Sequence, residues 1–283
     1  ISSFNSNGFT VDEGEETNYS ADTDYDYEPD TGERYVAWCW KLGSTGSSST
    51  WASGNTDPDS EKYNALAGVS IVNYYDENYT SSAITLNHSL GAAPEVAIAF
   101  DYDGYASEHY VWHKDLSSNN YLTLDSSSGQ SSDSSVFPAN PATATTITLG
   151  LSICSGVTSH VALFTPVEGF SKFGSYVGNE NNDGPFIYTG FRPALVIIKK
   201  YSTSGSSKEW WMMDNKRDGY NPQKKYIFGN SSNAEGTSTT NWIDFTANGF
   251  KLRGYGATTN KNGWSYLYLA FAESPFSGQP NSR

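Results

Sequence analysis

The sequence predicts an all-β protein built of tandem β-sandwich (jelly-roll-like) domains with an extra N-terminal half-unit. Three observations carry that expectation. Apolar residues fall in short β-branched or aromatic runs bounded by Gly, Pro, Asn and Ser. No apolar stripe at helical spacing lasts three turns. A strand pattern also recurs at intervals of roughly 100 residues, too long for a solenoid repeat and suited to a small domain.

The repetition can be read residue by residue. Gly68-Val-Ser-Ile-Val-Asn-Tyr-Tyr resembles Gly169-Phe-Ser-Lys-Phe-Gly-Ser-Tyr. Ala93-Pro94-Glu-Val-Ala-Ile98 resembles Arg192-Pro193-Ala-Leu-Val-Ile197, and Val111-Trp112 resembles Trp210-Trp211. Pro94 and Pro193 should therefore sit at equivalent strand starts. One closing strand is written three times, as Gly8-Phe9-Thr10-Val11, Thr146-Ile147-Thr148-Leu149 and Gly249-Phe250-Lys251-Leu252. A second apolar strand follows each: Tyr35 to Trp40, His160 to Phe164, and Tyr266 to Phe271.

These matches divide the chain. Residues 67–167 and 168–276 form two sandwich repeats, each an opening and a closing half, and 277–283 is a frayed tail. Residues 43–66, rich in Gly, Ser and Thr around Trp51, read as a linker or as a long ordered surface loop. Residues 1–42 form a closing half without an opening half. Phe9, Val11, Tyr35, Val36, Trp38 and Trp40 make it too apolar to stand in water, so these six are the expected assembly residues. Packing on the chain's own sandwich, an upstream opening half and addition to a neighbouring protomer all satisfy that need. Strand addition is the favoured one, because it supplies ladder bonds and burial together.

Composition limits the functional classes. Lys plus Arg is 17 against 31 Asp plus Glu, a formal charge of −14. That balance argues against nucleic acid or an anionic membrane as partner. Aromatics are 15% of the chain, ample material for a core, which argues against disorder. No run of about 18 apolar residues exists, so no helix spans a bilayer. The chain opens at Ile1 without a basic-then-apolar leader, as expected of a processed chain or a fragment. Cys39 and Cys154 are too few for a disulfide scaffold or a four-cysteine zinc site. The sequons at Asn18, Asn78, Asn87 and Asn230 are compatible with glycosylation outside the cell.

A resemblance to a known family rests on particular strings. Tyr35-Val-Ala-Trp-Cys-Trp-Lys41, Gly169 to Tyr176, Asp183-Gly-Pro-Phe-Ile-Tyr-Thr-Gly-Phe-Arg-Pro193, Asn248 to Arg253 and Tyr266 to Phe276 carry it. With them the sequence resembles the repeat-bearing tail or fibre structural proteins common in phages of marine and freshwater bacteria. The resemblance covers essentially the whole chain and implies a non-enzymatic structural subunit of a virion fibre or extracellular filament. The middle repeat departs from the pattern at His160 and Leu163, where the family usually shows Tyr. The loop from Glu13 to Glu33 is longer and more acidic than the family pattern.

Few residues offer chemistry. Asp22, Asp24, Asp26, Glu28, Asp30 and Glu33 have the alternating spacing of a calcium loop, with hard oxygens to wrap Ca²⁺. Tyr27 stands where such loops need Gly, so a solvated acidic loop is the competing reading. His109 and His113 share a face, without a third ligand; His88 and His160 stand apart. No Gly-x-Ser-x-Gly elbow is present, and no cofactor is required. Trp112 and Trp211 read as core. Trp51 and Trp264 read as exposed and are the candidates for a host surface glycan. Two functions follow: a self-assembling structural subunit, extracellular or in a virion, or a phage tail module binding a host glycan.

Overall fold

A computed structural model describes residues 3–5, 8–10, 39–49, 51, 53–76, 81–101, 108–154, 158–202 and 208–274. The chain divides into two compact units, Ile1–Lys41 and Leu42–Arg283. The described part of the first is a hairpin, β1 (Ser3–Asn5) with β2 (Gly8–Thr10). Its register pairs Phe4 with Phe9 and Asn5 with Gly8.

In the second unit, β3 (Ser44–Thr45), β4 (Ser60–Asn64), β5 (Val69–Tyr75), β6 (Ile84–Asn87), β7 (Val96–Asp101) and β8 (Tyr110–His113) come first. There follow β9 (Asn120–Thr123), β10 (Ser131–Ser132), β11 (Thr146–Leu149), the helical turn α1 (Leu151–Cys154) and β12 (Thr158–Phe164). The remainder is β13 (Ser171–Val177), β14 (Phe186–Tyr188), β15 (Pro193–Lys200), β16 (Trp210–Asp214), β17 (Lys225–Phe228), β18 (Gly236–Thr237), β19 (Ile243–Thr246), β20 (Gly249–Leu252) and β21 (Ser265–Ala272). The protein is all-β, of sandwich type, and every strand ladder is antiparallel.

The large sheet of the first half runs β10-β9-β8-β7-β12-β5-β4-β3, and that of the second runs β18-β17-β16-β15-β21-β13. The order from β10 to β5 recurs, element for element, from β18 to β13. Each large sheet is faced by a small one, β11-β6 or β14-β20-β19. Leu86, Ile147 and Leu149 of one small sheet pack with Ala97, Ala99, Val161 and Leu163 of its large sheet. In the second half Ile187, Phe245 and Phe250 meet Val196, Ile198 and Tyr266 in the same way.

The ladders also settle which residues correspond. Val96 pairs with Phe164, and Leu195 with Phe271, so Pro94 and Pro193 hold equivalent places before the central strand. Ala97 pairs with Trp112 while Val196 pairs with Met213. Trp112 therefore corresponds to Met213, and Tyr110 to Trp211: the Trp match read from sequence is out of register by two. Both tryptophans nevertheless pack on their own cores, as expected. One substitution between the halves is compensated across strands. Val72 faces Val161, whereas Gly174 faces Tyr268. A Cβ on Gly174 would stand 2.9 Å from the Tyr268 hydroxyl, so the glycine leaves room for the ring.

Residues on the far side of both large sheets are buried as well. Val96, Val111 and Leu122 point away from the first core, and Leu195, Trp210, Leu267, Leu269 and Phe271 point away from the second. They meet at a seam where the two large sheets stack back to back. Phe164 lies edge-on to Phe173 and Phe271, each at 6.3 Å between centroids. Trp210 Nε1 donates to the Thr123 carbonyl at 2.9 Å, and Lys199 Nζ to that of Ser126 at 2.9 Å. The halves thus form four layers, small-large-large-small.

Residues 43–66, read as a linker or a long surface loop, contribute two strands to the sheet. β4 pairs along the outer edge of β5, with Glu61 opposite Val72, and β3 pairs with β4. Alternation explains why this was missed. Ser60-Glu-Lys-Tyr-Asn is a polar strand whose only fully buried side chain is a carboxylate.

Candidate assembly surface

Glu61 locks this added segment in place. Its Oε1 accepts from Ser70 Oγ and the Ser89 amide, both at 2.7 Å. Its Oε2 accepts from Trp51 Nε1 at 2.9 Å and Ser89 Oγ at 2.6 Å. Four donors occupy the carboxylate's lone-pair positions, which is what allows a charge to sit in the interior. A few residues away Thr56 bridges the outer edge of β6, donating to Thr85 O and accepting from the Asn87 amide, each at 2.9 Å. One side of the first half is therefore closed on both layers: β5 by β4, and β6 by Thr56.

The same side of the second half is open. Among the described residues no strand pairs with the outer edge of β13 or of β14. Three large apolar side chains stand out there, Val177 at 57%, Phe186 at 45% and Tyr188 at 58% exposure. Protection of this edge is partial. Neither strand contains proline, and Lys172 on β13 caps Tyr188, with Nζ donating to Tyr188 O at 2.9 Å and 5.1 Å from the Tyr188 ring. The backbone phase of β14 follows from its neighbours. Leu252 N donates to Pro185 O and Thr189 N to Asn248 O, so Ile187 bonds toward β20. The polar groups of Phe186 and Tyr188 therefore point outward.

Two titratable groups of the seam are strongly perturbed. Burial pulls the Lys199 ammonium down to about 7, against the pull of Glu209 in the other direction. Burial likewise lowers His113 to about 4, with Asp115 opposing. His113 corresponds to Asp214: each accepts, from two residues on, the amide of the turn leaving its strand (Asp115 N at 3.1 Å, Lys216 N at 2.9 Å). Because the folded His113 pKa lies below its unfolded value near 6.5, the unfolded chain binds the extra proton between those values. Stability should be complete above pH ~6.5 and decline as pH falls toward ~4, by up to about 3 kcal/mol. His113→Asn keeps a cap acceptor and removes the titration. Thermal melts from pH 7 to 4 should show a shallower decline for the variant; parallel curves would exclude this origin.

The residues singled out from sequence fall as follows. Phe9 is on β2, and Val11, Tyr35, Val36 and Trp38 lie outside the described residues. Trp40 is half-buried, and it and Cys39, the described end of the strand expected at 35–40, are in irregular chain. The calcium-loop residues Asp22, Asp24, Asp26, Glu28, Asp30 and Glu33 also lie outside the described residues, as do Asn18 and Asn78. Asn87 is fully buried, with its amide donating to Asp57 Oδ1 at 2.9 Å, which leaves no room for a glycan. Asn230 is half-buried and accepts from the Trp210 amide at 2.8 Å.

Trp51 and Trp264 are not the exposed platforms expected. Trp51 is tied to Glu61, and Lys200 Nζ sits 3.2 Å over the half-buried Trp264 ring. His109 and His113 do not converge, since His113 is buried while His109 lies at the surface 3.7 Å from Asp125. Among the described residues no cluster of three His, Cys, Asp or Glu side chains is placed to hold a metal. Cys39 is exposed and Cys154 buried, both as free thiols, and burial pushes Cys154 up to about 11.

An open polar cleft of about 630 Å³ lies beside β6, lined by Asn55, Thr56, Tyr74, Asp76, Ile84 and Thr85. Sequence reasoning missed both this cleft and the open side, because each depends on which edges the fold leaves uncovered.

Fold and surface together define an all-β, sandwich-type protein in which, among the described residues, no strand pairs with the outer edges of β13 and β14. The chain belongs to the family described as a domain of unknown function (DUF7483), whose model matches residues 1–275. No curated protein and no solved structure matches it.

Proposed function

We propose that this protein is a non-enzymatic structural subunit of an extracellular or virion fibre, self-assembling head to tail through sheet-edge contacts. The observation that carries the reading is the unequal closure of the two halves. The recurrence of strand order supports a tandem repeat, and in such a repeat both copies need the same lateral cover. Among the described residues that cover appears in 43–66 for the first half, while no strand covers β13 or β14, whose Val177, Phe186 and Tyr188 side chains are exposed. An uncovered, apolar edge invites intermolecular pairing. The N-terminal unit supplies an extra hairpin, so each chain carries one donor and one acceptor, and unlike surfaces that join this way propagate into filaments.

Deleting residues 1–42 should abolish polymers and leave residues 43–283 folded, since both cores lie within the second unit. Electron microscopy and circular dichroism of the full-length and shortened chains check this. Unchanged polymers from the shortened chain would overturn the donor role.

The cleft beside β6 favours a second reading, recognition of a host surface glycan by a tail module. Its amide, hydroxyl and carboxylate groups around Tyr74 are the polar, partly aromatic lining that sugar hydroxyls and ring faces require. Discrete, non-polymerising particles that bind glycans, with loss of binding in Asp76→Asn, would favour this reading.

A further inference from the structure

The N-terminal hairpin repeats a second hairpin of the same chain. Phe4-Asn-Ser-Asn-Gly-Phe-Thr10 parallels Phe245-Thr-Ala-Asn-Gly-Phe-Lys251. The registers agree as well: Phe4 with Phe9 and Asn5 with Gly8 match Phe245 with Phe250 and Thr246 with Gly249. β2 thus holds the place of β20.

In the second half β20 has β19 on one side and β14 on the other. Arg253 N donates to Trp242 O, which sets the groups of Gly249 and Lys251 toward β19 and those of Phe250 toward β14. β2 has β1 where β20 has β19, and among the described residues no strand lies where β20 has β14. Among the described residues a strand of β20 type therefore stands without its β14-type partner, and the outer edge of β14 is unpaired.

We propose that the hairpin β1–β2 of one copy adds antiparallel to the outer edge of β14 in a second copy, extending its small sheet from three strands to five. The inference rests on the self-assembly reading above and names the acceptor. The hydrogen-bonding phase selects the pairing. Phe186 offers both of its outward groups, whereas the Tyr188 carbonyl already accepts from Lys172 Nζ, and Phe9, holding the place of Phe250, offers its own toward the same partner. Phe9 then stands opposite Phe186. Directly opposed residues share a face of the sheet, so the exposed Phe186 gains an aromatic neighbour. The corresponding edge of the first half is not available, because Thr56 occupies β6. Each chain then has one donor and one acceptor, which sets the stoichiometry of a linear polymer.

The test uses the full-length chain and a full-length Phe186→Lys/Tyr188→Lys variant. Both positions are exposed, so the variant should keep the parent's circular dichroism and melting temperature. Sedimentation velocity and electron microscopy should show polymers of the parent and discrete particles of the variant. Hydrogen exchange should show the amides of Phe186 and Tyr188 slowed at least tenfold in the polymer relative to dilute monomer. If the parent polymerises and the variant does so equally, the β14 assignment fails while self-assembly stands. Loss of polymers in Val177→Lys, with Phe186→Lys/Tyr188→Lys still assembling, would move the acceptor to β13 and overturn the proposal. A parent that stays monomeric at its highest soluble concentration overturns both readings.

Discussion

Replacing Glu61 with leucine should destabilise the second unit by about 3–5 kcal/mol, the range seen when one member of a buried charged network is removed. The carboxylate is buried and receives four hydrogen bonds. Leucine is close in volume, so the cost comes from polarity more than from a void. It strands the Ser70 and Ser89 hydroxyls, the Ser89 amide and the Trp51 indole without acceptors. Glu61→Gln should cost less, because its carbonyl oxygen still accepts while its NH₂ faces donors. Urea denaturation read by tryptophan fluorescence checks the order Leu worse than Gln worse than parent. Equal midpoints for all three would show that the segment is not held through this residue.

The second large effect concerns the cross-strand pair Gly174 and Tyr268. Gly174→Val alone should cost about 2–4 kcal/mol, since the new side chain meets the tyrosine ring and overpacking of a formed core is costly. Tyr268→Val alone should cost about 3 kcal/mol through the space left by the missing ring. Together they rebuild the Val72 and Val161 arrangement of the first half. The double variant should therefore be more stable than the sum of the single losses predicts, by at least ~1 kcal/mol. A strictly additive result from chemical denaturation would mean that the two halves do not use equivalent packing at this position.

Much of the fold was legible because the two halves share a strand order. The match around Pro94 and Pro193 gave the central strand of each large sheet, and the Gly-Phe pattern gave β20 and β2. The Trp match failed because aromatic identity outweighed phase: Tyr110 and Trp211 share a place, yet Trp112 offered the closer likeness to Trp211. The seam was written in the sequence in another form. Leu195-Val-Ile-Ile and Tyr266 to Ala272 are continuous apolar runs where a sheet with one solvated face would alternate, and continuity marks strands buried on both faces. β4 was hidden because an edge strand needs no apolar alternation to pair. The open side could not be read at all, since an edge is exposed only in relation to segments elsewhere in the chain.

The back-to-back seam has a consequence during synthesis. Val96, Val111, Leu122 and Phe164 are all made before β13 begins, and their cover in Leu195, Trp210, Leu269 and Phe271 is completed only with β21. At roughly 5–20 residues per second, the intervening ~110 residues keep the first half's outer face wet for about 5–20 s. The nascent chain therefore passes through a stage in which one sandwich is formed and its back is an apolar sheet facing the ribosome's surroundings. A holdase that shields β-sheet surfaces, or slow crowding of neighbouring nascent chains, would govern yield at that stage. The final product, with that face sealed inside four layers, carries no trace of the exposure.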